Sequence, residues 1–201
     1  MTKSILPVLL LLLFLLVGCK QKPIFLFQID ETILQEGDLV FRQGMSIASR
    51  VVLAADKEGG YSHIGIIVKD ATGWKVIHAV PGETDATYPE EIIKKESLSQ
   101  FFAPKRAVSG AIFRLDTNES IGLLAAEKAQ TLFERKLLFD HKYNLEDSTE
   151  MYCTELIVFA FQYAGIDISE GRRRSYPAIQ GEFILPSDIL AYPKLKKVWG
   201  M

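Results

Sequence analysis

The chain predicts an α+β domain in which an antiparallel sheet packs against helices. Three observations carry that expectation. Short β-branched runs bounded by turn residues crowd the first half, around Leu39–Arg42, Ile64–Val68 and Trp74–Val80. Only Lys69–Gly73 separates the last two, which suits a hairpin and leaves no room for a crossover helix. The two strongest helical periodicities, Glu119–Phe139 and Tyr152–Ala164, lie in the second half. The composition agrees: 201 residues, 48% hydrophobic and 24% charged, make one domain with appendages and exclude disorder as the main content. Lys+Arg 23 against Asp+Glu 25 gives a net charge of −2, so a basic nucleic-acid binder is excluded as the leading class. Two cysteines without a CxxC give neither a disulfide framework nor a structural zinc site.

In chain order, the front reads first. One charge, Lys3, precedes an apolar run from Ile5 to Val17. That run is too short to span a bilayer and has the length of a signal-peptide core. Leu16-Val17-Gly18-Cys19 follows, similar to the bacterial lipobox, whose Cys is lipidated after cleavage before it. The expectation is a signal peptide over 1–18, a lipidated Cys19 with a tether over 19–35, and a folded domain over 36–201. Acyl chains on Cys19 would anchor the domain to a membrane. Lys20 in place of Asp resembles an outer-membrane address in diderm bacteria, so the expected location is the cell envelope, facing the periplasm. A plain secretory signal with an incidental Cys is the alternative.

Gly37-Asp38 signals a turn before the strand Leu39–Arg42. Ser46 is placed to cap a helix through Ala55, with Ile47, Val51, Val52 and Ala55 on one apolar face and Gly59-Gly60 after it. Pro81-Gly82 ends the hairpin. The acidic stretch Glu83–Ser99 is expected to hold a short helix, and the wider segment 83–105 would suit a lid or rim. Ser109–Leu115 reads as a further strand. Ile121, Leu124, Ala125, Leu132 and Leu138 are the expected inward residues of the helix 119–139. Gly165 closes the last helix.

Cys153 starts that last helix, where unsatisfied N–H groups and the helix dipole favour a thiolate and could hold an oxyanion. His63 enters one strand of the hairpin and His78 lies on the other. If the register permits, His63 is a base for Cys153, and His78 fixes the tautomer of His63. The plainer readings stand beside this: Cys153 as a small buried hydrophobe, and either His as a packing residue. His141, flanked by charges, suits a solvated loop. A metal held by the two histidines, Cys153 and Glu155 is open chemically, though no i, i+4 ligand pair is present. Arg172-Arg173-Arg174 suits a solvated turn, with an anionic contact as the sharper alternative.

Four segments together also carry a resemblance: Gly37-Asp38-Leu39-Val40-Phe41, Ser62-His63-Ile64-Gly65-Ile66, Val76-Ile77-His78-Ala79 and Tyr152-Cys153-Thr154-Glu155-Leu156. They resemble the permuted branch of the NlpC/P60 superfamily, papain-like cysteine hydrolases, and within it the YiiX/YebB-like group, over residues 36–190. The resemblance implies a permuted papain-like fold, Cys153 as nucleophile, His63 as base and His78 at the variable third position. It implies Glu155 as support near the helix start and Tyr61 as a lining residue. It further implies thiol-dependent amide cleavage or acyl transfer through a thioester without a cofactor or metal. The substrate would be a peptidoglycan stem peptide or a lipid acyl group. A non-catalytic envelope domain binding wall fragments or a partner is the reading from a different class.

Overall fold

A computed structural model describes residues 27–145, 149–176 and 179–201. The expected signal peptide and Cys19 lie outside the described residues. The domain is α+β, with an antiparallel six-stranded sheet packed against helices. Strands β1 (Leu39–Gly44), β2 (His63–Asp70), β3 (Gly73–His78), β4 (Lys94–Ser97), β5 (Ala107–Leu115) and β8 (Leu195–Gly200) stand in the order β4-β3-β2-β1-β5-β8. A separate hairpin joins β6 (Arg174–Tyr176) and β7 (Ile179–Phe183). The helices are α1 (Ile47–Ala55), α2 (Leu98–Phe101), α3 (Glu119–Glu134), α4 (Cys153–Tyr163) and α5 (Pro186–Leu190). Among the described residues no helix is long and apolar enough to cross a membrane.

Alternation along the strands sorts side chains onto two cores. Phe41, Ile64, Ile66 and Ile77 face the helices, where they pack with Ala125, Ala129 and Leu132 of α3 and Leu156, Ile157 and Ala160 of α4. Val40, Ile67 and Val76 face the other side, under Leu98, Phe101 and Phe102. The turn into β1 depends on Gly37: its φ is +88°, and a Cβ there would lie 2.4 Å from the Gly122 backbone of α3. Asp38 beside it is buried and receives Arg114 through both Nε and Nη2 at 2.7 Å, fastening β1 to β5.

Several expectations from sequence are corrected here. Helix α3 stops at Glu134, and Lys136 takes φ +53°. Beyond it Leu137 and Phe139 are buried while Leu138 is 46% exposed, a period of two. Residues 137–139 therefore run as extended chain, with Ile93 donating to Leu137 O and Phe139 to Glu91 O. Leu124 is also exposed, whereas Ala125 and Leu132 are buried and Ile121 packs at the core edge. The acidic stretch forms mostly loop and strand β4, and the short helix α2 begins at Leu98, capped by Ser97. Strand β4 reads as polar because its buried side chains are charged: Lys94 meets Asp85, and Glu96 meets Arg106. Ser46 caps α1 by accepting from Ser49 N, but no residue of α1 is buried, and Ile47 and Val51 are 81% and 59% exposed.

Candidate functional site

The hairpin register sets the first part of the site. Ile66 pairs with Ile77, so continuing the ladder puts Gly65 across from His78 and leaves His63 diagonal to it on the same face. A Cβ at Gly65 would meet Val76 Cγ1 at 2.5 Å, Ile77 O at 3.0 Å and His78 Cβ at 3.2 Å, so the glycine lets β3 approach closely where it carries His78. His63 Nε2 and His78 Nδ1 are 2.8 Å apart, both rings fully enclosed. On the far side of His78, Nε2 lies 3.1 Å from Glu96 Oε1, somewhat off the line of an ideal hydrogen bond. A carboxylate only accepts, so His78 Nε2–H donates to Glu96, His78 Nδ1 accepts, and His63 Nε2–H donates to it. The network thus leaves Nδ1 as the unprotonated nitrogen of His63.

Charge holds this arrangement in place. Burial works against the Glu96 carboxylate, but His78 and Arg106 outweigh it and bring its pKa down to about 2. Arg106 Nη1 meets both Glu96 oxygens, at 2.9 and 2.7 Å. His63 is held well below its ordinary 6.5 by burial, then by the Arg42 charge and by His78. His78 is lowered as well, chiefly by burial, with Glu96 opposing. Phe101 stacks on His63 at 5.6 Å and meets His78 edge-on at 5.1 Å, covering one side of the pair.

Cys153 comes from the other core. It is the first residue of α4, after Tyr152, whose N–H donates to Glu155 Oε2 at 3.3 Å. Thr154 Oγ1 donates to Ile184 O at 2.7 Å and Tyr152 Oη accepts from Ile184 N at 3.1 Å, so the helix start is tied to the chain ahead of α5. Cys153 is half-buried. Burial pushes its thiol up to about 11, while the N–H groups of Ile64, Thr154 and Cys153 and the Arg42 charge act the other way. The N–H groups at the helix start therefore favour the thiolate as expected, and desolvation outweighs them. With His63 deprotonated and the thiol protonated, both groups rest neutral.

Cys153 and His63 line one cavity of about 40 Å³, shared with Arg42, Ser62, Tyr143 and Tyr152. Cys153 also lines a second cavity of about 80 Å³, whose walls are Val51, Val52, Ala55, Phe183, Leu185 and Pro186 with Tyr143 and Tyr152. The structure thus brings His63 and Cys153 to one cavity, with His78 behind His63. Tyr61 lines neither cavity; its ring packs against Phe41 at 5.5 Å. His141 is 65% exposed, with Nε2 2.7 Å from Glu91. The three arginines serve the local fold: Arg172 meets Glu170 and the Asp188 carbonyl, Arg173 meets Ser169, and Arg174 meets Asp188.

Three residues here went unremarked in the sequence. Glu96 sits on a strand that has no apolar alternation to mark it. Arg42 reads as one polar residue at a strand end. Tyr143 lies in an aperiodic loop, at φ +54°, where Asp140 accepts from the N–H groups of Lys142 and Asn144 at 2.7 and 2.5 Å. The Tyr143 hydroxyl makes no hydrogen bond among the described residues.

No family model matches the chain, and no curated protein matches it. Among solved structures it is similar to the metalloprotein YiiX of Escherichia coli O157:H7 (DUF1105), with a TM-score of 0.65 and 20% identity over 83% of this chain and 97% of that one. The fold is YiiX-like.

Proposed function

We propose that this chain is a cysteine hydrolase, with Cys153 as nucleophile, His63 as base and His78, anchored by Glu96, as the orienting group. The observation that carries the reading is the shared cavity: a thiol at a helix N-terminus and a histidine whose tautomer is fixed by a buried relay open into the same space. The S–H bond breaks as its proton passes to His63 Nδ1, and the sulfur pair attacks a carbonyl carbon. The resulting oxyanion faces the N–H groups at the start of α4. Collapse breaks the bond to the leaving group, which takes the proton from His63 and departs as the amine or alcohol. Water then adds to the thioester by the reverse proton path and releases the acid. A neutral resting pair suits this sequence, because the proton moves only when substrate is attacked.

The envelope location expected from Lys3–Cys19 supports an amide of a peptidoglycan stem peptide as substrate. A second reading, a lipid acyl group, is favoured by the apolar wall of Val51, Val52, Ala55, Phe183, Leu185 and Pro186 beside Cys153. YiiX is described as a metalloprotein, which raises a metal as a cofactor here. The residues do not fit one. Among the described residues no group of three or more His, Cys, Asp or Glu is placed to hold an ion. His63 Nε2 and His78 Nδ1 are bonded to each other at 2.8 Å, which leaves no space for an ion between them.

The test is a trapped thioester. Muropeptides with amide-linked stems and acyl esters of graded chain length are offered to the intact chain and to Cys153→Ala. Mass spectrometry should find an acyl adduct on Cys153, and both the adduct and turnover should vanish in Cys153→Ala. Turnover that survives in Cys153→Ala overturns the hydrolase. A Cys153→Ala chain that still binds the muropeptide while neither protein turns it over favours a binding domain.

A further inference from the structure

Among the residues lining the cavity that holds Cys153 and His63, Arg42 is the sole permanent charge. It stands directly across the β1–β2 ladder from His63. The side chain is 2% exposed and held on three sides. Nη1 donates to Phe101 O at 2.7 Å, Nη2 meets Glu83 Oε1 at 2.5 Å, and Cζ lies 4.7 Å from the centre of the Phe101 ring. Among the described residues its Nε is buried without a hydrogen-bond partner. A buried Arg–Glu pair gives a fold little that an apolar pair of equal volume would not. What this position does supply is a fixed positive charge, and Phe101, which receives both Arg42 and the His63 ring, sets its distance from the imidazole.

We propose that Arg42 is an electrostatic positioning residue of the cysteine site: held by Glu83 and the Phe101 carbonyl, it supports negative charge on Cys153 Sγ and keeps the His63 imidazole free to receive the thiol proton. The proposal rests on Cys153 and His63 being nucleophile and base. Its chemical consequence follows from one charge acting on two groups of opposite response. Next to Arg42 a thiolate gains and an imidazolium loses. The protonated His63 formed during attack is therefore a stronger acid than a free imidazolium, and passes its proton on to the leaving group. Glu83 tempers both effects as the counter-ion. The other charged and titratable groups around His63 and Cys153 are His78 from β3, Glu96 from β4 behind it, Arg106 ahead of β5, Tyr152 and Glu155 at the start of α4, and Tyr143 from the loop before it. Arg42 lowers both histidines and Cys153 in the same direction that this geometry predicts.

The experiment follows two titrations in the intact chain and in Arg42→Met, Arg42→Lys and Glu83→Gln. Nitrogen NMR reads the His63 ring against pH, and peptide mass spectrometry reads the iodoacetamide rate at Cys153 against pH. Arg42→Met should move both midpoints upward by about one pH unit, a tenfold change in each equilibrium. Arg42→Lys, which keeps the charge, should stay close to the unsubstituted chain, and Glu83→Gln should move both midpoints downward. Unchanged midpoints in a folded Arg42→Met, or an Arg42→Lys that behaves as Arg42→Met does, overturn the proposal. Should Arg42→Met fail to fold, Glu83→Gln decides: no shift, or an upward one, overturns it equally. Neither readout needs turnover, so a failed hydrolase reading and a failed role for Arg42 are told apart.

Discussion

The two walls around Cys153 are built on opposite terms. On the sheet side Arg42, His63, His78 and Glu96 are buried, and the last three join half-buried Arg106 in a relay covered by Phe101. On the other side α1 and the chain around Phe183–Pro186 present hydrocarbon, and α1 buries none of its residues. Where polar groups are dry they must be partnered, and each partner then fixes the position of the next. Phe183 and Leu185 on that side are held in the core, but Ile47 and Val51 of α1 remain wet and are held less tightly. The polar wall therefore sets proton positions, and the exposed α1 part of the apolar wall is free to meet whatever approaches the thiol.

The largest expected effect lies where the walls meet. Cys153→Ala and His63→Ala should each lower turnover by about 10⁴-fold, and the double variant should be little worse than either, because the two act as a unit. Circular dichroism and melting should show both single variants folded. Additive losses in the double variant would break the pairing on which the comparison rests.

Next comes the back of the relay. Glu96→Gln keeps the shape of the side chain but removes the charge that His78 Nε2–H meets. Turnover should fall by about 100-fold. His78→Ala in the same chain should add little to that loss, since Glu96 acts through His78. An unchanged rate in Glu96→Gln would make Glu96 a structural partner of Arg106 alone.

Acid should test the same wall through stability. His63 and His78 titrate below 6.5 when folded, so below 6.5 the unfolded chain binds more protons than the folded one. Their contribution to stability is present above 6.5 and is lost as pH falls toward their folded values. Glu96 behaves alike, with its contribution present above 4.5 and lost as pH falls toward about 2. Cys153 gives the opposite sign: its folded thiol is raised to about 11, so stability should fall as pH rises from 9 to 11. Urea unfolding across pH should give a maximum between those limbs. In Glu96→Gln the limb between 4.5 and about 2 should flatten, while the fall below 6.5 should steepen because His78 loses the charge that opposes its burial. A profile unchanged in both windows would remove Glu96 from the account.

What the sequence could disclose divides along the same line. Strands β1, β2, β3 and β5 and helices α1 and α4 follow from β-branched runs, helical spacing and the caps Ser46 and Gly165, which act over a few residues. His63, His78 and Cys153 could be singled out because their chemistry is rare in this chain and their positions in elements are local facts. Glu96 and Arg42 could not, because their meaning depends on the register of four strands and on Phe101 closing over them. Leu137–Phe139 misled for a related reason: an apolar cluster after a helix fits one more turn, and only pairing with residues 91–93 selects extended chain. On α1 the helical spacing is correct, but a correct apolar face does not guarantee that anything covers it.

The smallest expected effect is on that face. Ile47 and Val51 are exposed, so Ile47→Ser and Val51→Ser should each change unfolding free energy by no more than about 0.5 kcal/mol. Ile66→Ala, in the sheet core, should cost about 2–5 kcal/mol, which gives the scale for comparison. Activity separates the two substrate readings at Val51, which lines the cavity. With an acyl ester, Val51→Ser should raise KM more steeply as the acyl chain lengthens, while kcat stays level, because Val51 lines the cavity but carries no proton or charge. With a stem-peptide amide, Val51→Ser should leave KM unchanged. A kcat that falls with KM level would place Val51 among the groups that shape the reacting atoms, and the division between a wall for chemistry and a wall for contact would then fail.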